Sequence, residues 1–146
     1  MSDIIDGKPT MTFWFLSGAA LIWNLFGMMI YVMTVSATPE QLAAQYTAEQ
    51  VAFLENVPVW ATSAFAIAVT AGVLGSLMLL FRKAWAVPLF VVSLVAVLVQ
   101  NLHSFVLNDS IALFGMTPVY IQSAIVVIAV LLIFFSRGAK ARRWLT

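Results

Sequence analysis

Four long apolar runs without a single charged residue constrain this chain more than any other feature. They cover roughly residues 12–35, 58–81, 86–107 and 118–136. A helix needs about 20 residues to cross a bilayer, and each run is close to that length. The runs are continuously apolar and do not alternate, which favours helices over barrel strands. Pro58, Pro88 and Pro118 stand at or near the starts of three runs, where the missing N–H costs little.

Composition supports the same class. Hydrophobic residues make up 63% of the 146 residues and charged residues 9%, whereas soluble domains are about half apolar and a quarter charged. We therefore predict an all-α, polytopic membrane protein, a four-transmembrane-helix bundle that forms one integral membrane domain over residues 1–146. The chain has no cysteine, which excludes disulfides, thiolate metal sites and cysteine nucleophiles.

The basic residues lie on one side of the predicted spans. With four spans, the side shared by both termini and the second–third loop holds every base: Lys8, Arg82, Lys83, Arg137, Lys140, Arg142 and Arg143. The other two loops hold Glu40, Glu49, Glu55 and Asp109. This asymmetry predicts that both termini are cytoplasmic. The length of the first run and the excess of acid over base before it predict a retained span and not a cleaved signal peptide.

The tail over residues 137–146 is basic and is expected to lie on the cytoplasmic side. Its lysine and arginines predict contact with the anionic headgroups of membrane lipids. A binding site for a specific partner is the alternative interpretation.

The loop over residues 36–57 contains two capping-box patterns. Thr38 is followed by Pro39 and by Gln41 three residues on, and Thr47 is followed by Gln50. We therefore predict two short periplasmic helices that cover the end of the bundle, or alternatively a mobile lid over a binding site. The apolar residues expected to face the bundle or the membrane are Leu42, Tyr46, Val51 and Leu54.

Small residues form a stripe along the second span. In lipid, small side chains let two helix backbones approach closely and gain van der Waals contact. The stripe therefore predicts helix packing, either inside one bundle or at the seam of a homo-oligomer. Its members are Ala64, Ala68, Gly72 and Gly75.

Polar side chains within the spans concentrate in their outer halves. Asn24 lies near the middle of the first span, too deep for so short a side chain to reach water, and an unpaired amide in hydrocarbon costs several kcal/mol. At α-helical spacing, several of these side chains share helix faces. The prediction is a water-accessible, outward-facing ligand pocket lined by Asn24, Tyr31, Gln100, His103, Ser104 and Gln122. The alternative is that they only bond neighbouring helices together.

Several functions lack the residues they need. One histidine without cysteine cannot complete an ordinary zinc site, and the acidic residues lack the spacing of a metal-binding loop. No phosphate loop, catalytic triad or carboxylate within a span is present. We therefore predict a protein that is not an enzyme, with no cofactor, no metal and no nucleic-acid partner.

Three stretches resemble a known group of proteins. They are WNLFGMMIYVMT at 23–34, TPEQLAAQYTAEQVAFLENVPVWATSAFAIAV at 38–69 and GVLGSLMLLFRKAWAVPLFVVSLVAVLVQ at 72–100. Together they resemble small four-helix bacterial inner-membrane proteins labelled "sugar transporter". This resemblance implies a location in a bacterial inner membrane and a sugar-like solute. Many members of that group carry an acidic residue just before the tyrosine, where this chain has Ile30.

Two functional hypotheses follow from the sequence. The first is a membrane protein that binds or translocates a small polar or amphipathic solute. Four spans leave little room for alternating access, and transporter folds generally pair repeats, so this hypothesis implies a homo-oligomer. The second is a non-catalytic accessory subunit, whose partner is another membrane subunit of a larger complex.

Overall fold

The computed structural model describes residues 8–146, which contain helices and no strand. Their order in the chain is α1 (Met11–Ser36), α2 (Pro39–Gln45), α3 (Ala48–Glu55), α4 (Val59–Leu80), α5 (Ala86–Asn101), a π-helix (Leu102–Leu107), α6 (Ser110–Phe114) and α7 (Thr117–Ala141). Four of these elements are long and apolar enough to cross a membrane: α1, α4, α5 with the π-helix, and α7. The predicted all-α architecture with four spans is confirmed.

The four spans form an open arc. Helix α4 packs along α5 and, on its other side, along α1, while α7 packs along α5. Helices α1 and α7 are the two ends of the arc and scarcely touch. They meet at Phe13 of α1, whose ring stacks 5.8 Å from the ring of Phe135 in α7. The arc is thus closed at this point and leaves a gap between α1 and α7 further along.

The small-residue stripe explains how α4 can occupy the middle of the arc. Ala64, Ala68, Gly72 and Gly75 are all buried, between α1 on one side and α5 on the other. A Cβ at position 75 would lie 3.0 Å from the Phe90 ring of α5, so glycine permits this close approach. The stripe is therefore buried inside one bundle.

One end of the bundle, here called the tail end, brings together the start of α1, the α4–α5 turn and the C-terminal tail. The backbone N–H of Ala84 donates to Thr146 O at 2.9 Å, and that of Thr146 donates to Arg82 O at 2.8 Å. The Arg82 side chain also donates from Nε to Trp144 O at 2.8 Å. The start of α1 and the C-terminal tail thus lie at the same end, as an even number of spans requires.

The opposite end carries a cap, made of α2, α3 and α6 together with the π-helix that ends the third span. Both predicted capping boxes are present, with Thr38 and Thr47 each bonded reciprocally to the glutamine three residues later. A backbone hydrogen bond and the Thr38 hydroxyl lower the pKa of Glu40, which favours its charged form. Glu40 lies in the first turn of α2, where a negative charge interacts favourably with the helix dipole.

Helix α6, Ser110–Phe114, lies in the loop between the last two spans, where the sequence pattern predicted no helix. Asp109 caps it by accepting from the backbone N–H of Ala112 at 3.2 Å, and Gly115 ends it with a positive φ of 74°. Gln50 of α3 donates from Nε2 to Leu113 O at 2.8 Å and so joins the two halves of the cap.

Candidate binding pocket in the helical bundle

A pocket of about 380 Å³ lies inside the arc, and all four spans contribute to its lining. Its back wall is formed by α4 and α5, where Ala68, Phe90 and Val97 are almost completely buried. Its mouth is formed by α1 and α7, where Phe26 is 55% exposed and Ile121 is 54% exposed. The pocket therefore opens sideways, through the gap between α1 and α7, toward the region a bilayer would occupy.

Most of the lining is apolar, and the polar exceptions are Asn24, Ser93, Gln100 and Gln122. The Ser93 hydroxyl donates to Ala68 O at 2.7 Å, so its proton is already used inside the bundle. None of the described residues that line the pocket is ionisable. What the pocket offers a ligand is an apolar wall with a small number of uncharged amides.

Asn24 is held against α4 by a specific set of contacts. Its Nδ2 donates to Ala20 O at 2.9 Å and to Ser76 Oγ at 3.1 Å, and Ser76 Oγ in turn donates to Gly72 O at 2.9 Å. Its Oδ1 lies directly over Gly72, where a Cβ would overlap it. This amide therefore joins α1 to α4 while it also borders the pocket. It acts as a helix-packing residue whose Oδ1 accepts no hydrogen bond from a described residue.

The amides of Gln100 and Gln122 are different, because neither hydrogen-bonds to any described residue. Both side chains are partly buried and border the pocket, one from α5 and the other from α7. Each amide has two N–H donors and a carbonyl acceptor available. Since polar groups at membrane depth need partners, these two amides are the strongest candidates for contact with water or a ligand.

The structure divides the predicted set of six site residues. Asn24, Gln100 and Gln122 line one pocket, whereas Tyr31, His103 and Ser104 do not line it. Tyr31 packs its ring edge-on against Phe65 at 5.2 Å, and Phe65, rather than Tyr31, reaches the pocket. Whether the three residues in the pocket bind a ligand stays a prediction.

His103 belongs to the cap and not to the pocket. It is buried beneath Trp60, with the two rings edge-to-face at 5.4 Å, and beside Phe53 at 6.2 Å. Phe53 also packs on Phe114 of α6, so the histidine is part of an aromatic cluster that attaches α3 and α6 to the spans. His103 therefore packs among the aromatic rings of the cap and does not line the pocket.

Of the three predicted site residues on the third span, Gln100, His103 and Ser104, only Gln100 lines the pocket. The prediction used α-helical spacing throughout this span, whereas residues 102–107 form a π-helix. A π-helix places more residues in each turn than an α-helix, so side chains after Asn101 are rotated relative to α-helical spacing. Gln100 is the last of the predicted polar residues on the regular part of the helix.

Other site types find little support in the described part of the chain. Residues 8–146 contain no cluster of three or more histidine or acidic side chains that could hold a metal ion.

Comparison of the chain with protein-family models, curated proteins and solved structures gave no match. The resemblance to the small inner-membrane proteins therefore stays a prediction, and the pocket is the site on which a functional proposal can be based.

Proposed function

We propose that the protein binds a small amphipathic molecule in the pocket between α1 and α7, as a membrane carrier or binding protein without catalytic activity. The observation that carries this proposal is an apolar pocket of about 380 Å³ bordered by two amides that bond to no described residue. This volume falls within the range of ligand sites, which are mostly apolar with a few polar groups that fix orientation.

The lining favours an amphipathic ligand over a sugar. A sugar carries hydroxyls around its whole ring, and each hydroxyl buried without a partner has an energetic cost. This pocket provides hydrogen-bonding groups at Asn24, Gln100 and Gln122, while rings such as Trp23 and Phe65 and several aliphatic side chains form the remainder. We therefore propose an amphipathic ligand and not a polar, sugar-like one.

Filling the pocket tests this proposal. Ala129 of α7 lines the pocket, whereas Ala124 of the same helix is exposed and lies outside it. We expect small molecules that co-purify with the wild-type protein from native membranes to be lost from Ala129→Phe and retained by Ala124→Phe. Mass spectrometry of lipid and solvent extracts measures both, with the level of each variant in the membrane as the control for folding.

A molecule retained equally by both variants would place the binding elsewhere and contradict the proposal. A fixed protein subunit that co-purifies with all three proteins, without any small molecule, would instead favour the accessory-subunit hypothesis. In that case the exposed faces of α1 and α7 are the surfaces on which to map the partner.

We also propose that both termini face the cytoplasm of a bacterium and that the cap faces the periplasm. The support is the basic tail end and the cap that bears Glu40, Glu49, Glu55 and Asp109, a distribution that follows the positive-inside tendency. The chain has no native cysteine, so single cysteines report position without background. In intact spheroplasts, Ala44→Cys in the cap should react with an impermeant thiol reagent and Thr146→Cys should react only after lysis. The reverse pattern would invert the proposed orientation.

A further inference from the structure

We infer that the ligand is a neutral, lipid-like amphiphile with a hydroxyl or carbonyl head, which enters sideways from the cap-side leaflet through the gap between α1 and α7. This inference rests on the proposed binding function and names the class of molecule bound. Three properties of the pocket lead to it: its lack of charge, its polarity along the bundle axis and the position of its mouth.

The lack of charge determines the head group. No lining residue carries a charge, and a charged group held at membrane depth without a partner is costly. A carboxylate or phosphate at this place would have no cation from the lining to bond. Amides donate and accept equally well, so Gln100 and Gln122 suit a hydroxyl or a carbonyl.

The polarity of the pocket runs along the bundle axis. Helix α5 contributes Phe90 toward the tail end and Gln100 toward the cap, and α7 contributes Leu132 toward the tail end and Gln122 toward the cap. Ten residues separate the members of each pair, which corresponds to about 15 Å of helix rise. The two antiparallel helices thus place both unbonded amides at the cap end of the pocket. Toward the tail end the lining is mainly apolar, and its polar residues, Asn24 and Ser93, donate hydrogen bonds within the bundle.

This polarity matches that of a lipid in the leaflet next to the cap. Such a lipid has its polar head near the cap and its apolar chain toward the centre of the bilayer. The mouth lies between the half-exposed residues Phe26 and Ile121, and no residue of α2, α3, α6 or the π-helix lines the pocket. A molecule from that leaflet can enter sideways, without turning over and without crossing the cap.

Quenching of Trp23, which lines the pocket, measures occupancy directly. The other four tryptophans, Trp14, Trp60, Trp85 and Trp144, are replaced by phenylalanine, and the protein is placed in phosphatidylcholine nanodiscs. A dibrominated monoacylglycerol and the corresponding dibrominated fatty acid, kept ionised at alkaline pH, serve as neutral and anionic probes. Ala129→Phe in the same background measures the quenching that comes from the surrounding bilayer.

We expect the monoacylglycerol to quench Trp23 saturably, and the fatty acid to need about a tenfold higher mole fraction for the same effect. Replacing Gln100 and Gln122 together by leucine should raise the half-saturating fraction of monoacylglycerol by about tenfold, because two hydrogen bonds to the head are lost. The fatty acid should be far less affected. If the four replacements prevent folding, the difference between the native chain and Trp23→Phe gives the same signal.

The possible outcomes distinguish a failure of the neutral-lipid inference from a failure of the proposed binding function. Saturable binding of the fatty acid equal to or tighter than that of the monoacylglycerol overturns the neutral-head inference and leaves the pocket as a binding site. Saturable binding of monoacylglycerol that the double leucine variant does not weaken overturns the assignment of the head to the two amides. Quenching identical to that of Ala129→Phe for both probes counts against the inference and against the proposed function together.

Discussion

Replacing Phe13 by alanine is expected to destabilise the protein by about 3–5 kcal/mol, the usual cost of removing a buried aromatic side chain. Phe13 is 1% exposed and is, with Phe90 of the same core cluster, one of the two largest fully buried side chains among the described residues. Its ring stacks on Phe135 of α7 at 5.8 Å and meets Trp144 of the tail edge-on at 5.6 Å. Because α1 and α7 scarcely touch elsewhere, removal of this ring should also loosen the closed end of the arc.

Phe15→Ala is the matched control for Phe13→Ala. The two positions are two residues apart, with Trp14 between them, but the Phe15 side chain is 74% exposed and so packs little against the bundle. Membrane helices are held together by packing against one another and not by the removal of apolar surface from water. Loss of the exposed Phe15 ring should therefore change the free energy of unfolding little. The free energy of unfolding can be measured by denaturing-detergent titration followed by circular dichroism. Equal losses for the two variants would contradict the packing assigned to Phe13.

Gly72→Ala is the second substitution with a large expected effect. A methyl group at this position would overlap Asn24 Oδ1, and it would also lie 2.9 Å from Asn24 Cγ and 3.5 Å from Ser93 Oγ. Asn24 cannot move away freely, because its Nδ2 is bonded to both Ala20 O and Ser76 Oγ. We therefore expect a loss of about 1–3 kcal/mol, as for other overpacked interiors, measured by the same titration.

Two further variants show whether this loss comes from Asn24. Gly18→Ala places a methyl where no atom lies within 4 Å, so it should leave stability unchanged or slightly higher. In the double variant Gly72→Ala with Asn24→Ala, the overlapping atom is absent, and part of the loss caused by Gly72→Ala should disappear. A double-mutant cycle gives the coupling, expected at about 0.5–3 kcal/mol. If the changes in the free energy of unfolding caused by the two substitutions simply add, the steric overlap between Asn24 and a methyl group at position 72 is contradicted.

The sequence by itself determined the class of protein and its regular elements. A backbone in hydrocarbon must satisfy its polar groups within its own segment, so four uncharged runs of about 20 residues leave little choice but four helices. Local side-chain chemistry likewise predicted α2 and α3, because the bonds of a capping box form between residues three apart in the chain. The small-residue stripe marked the buried face of α4 for a similarly direct reason, since only small side chains allow such close helices.

The tertiary structure decided which polar residues meet. The apolar pattern of a membrane helix does not show which other helix packs against each of its faces. Predicting the faces from the sequence also requires that the whole span be a regular α-helix. Beyond Asn101 the third span continues as a π-helix, where His103 packs against Trp60 and Phe53 in the cap, while Gln100 lines the pocket.

The gap between α1 and α7 is also a property of the folded bundle, because it depends on the order in which the helices pack: α1 on α4, α4 on α5 and α5 on α7. That order brings Gln100 and Gln122 to the same end of one pocket, although they lie on different helices. No local sequence signal encodes this proximity, since it arises from contacts between segments that are distant in the chain.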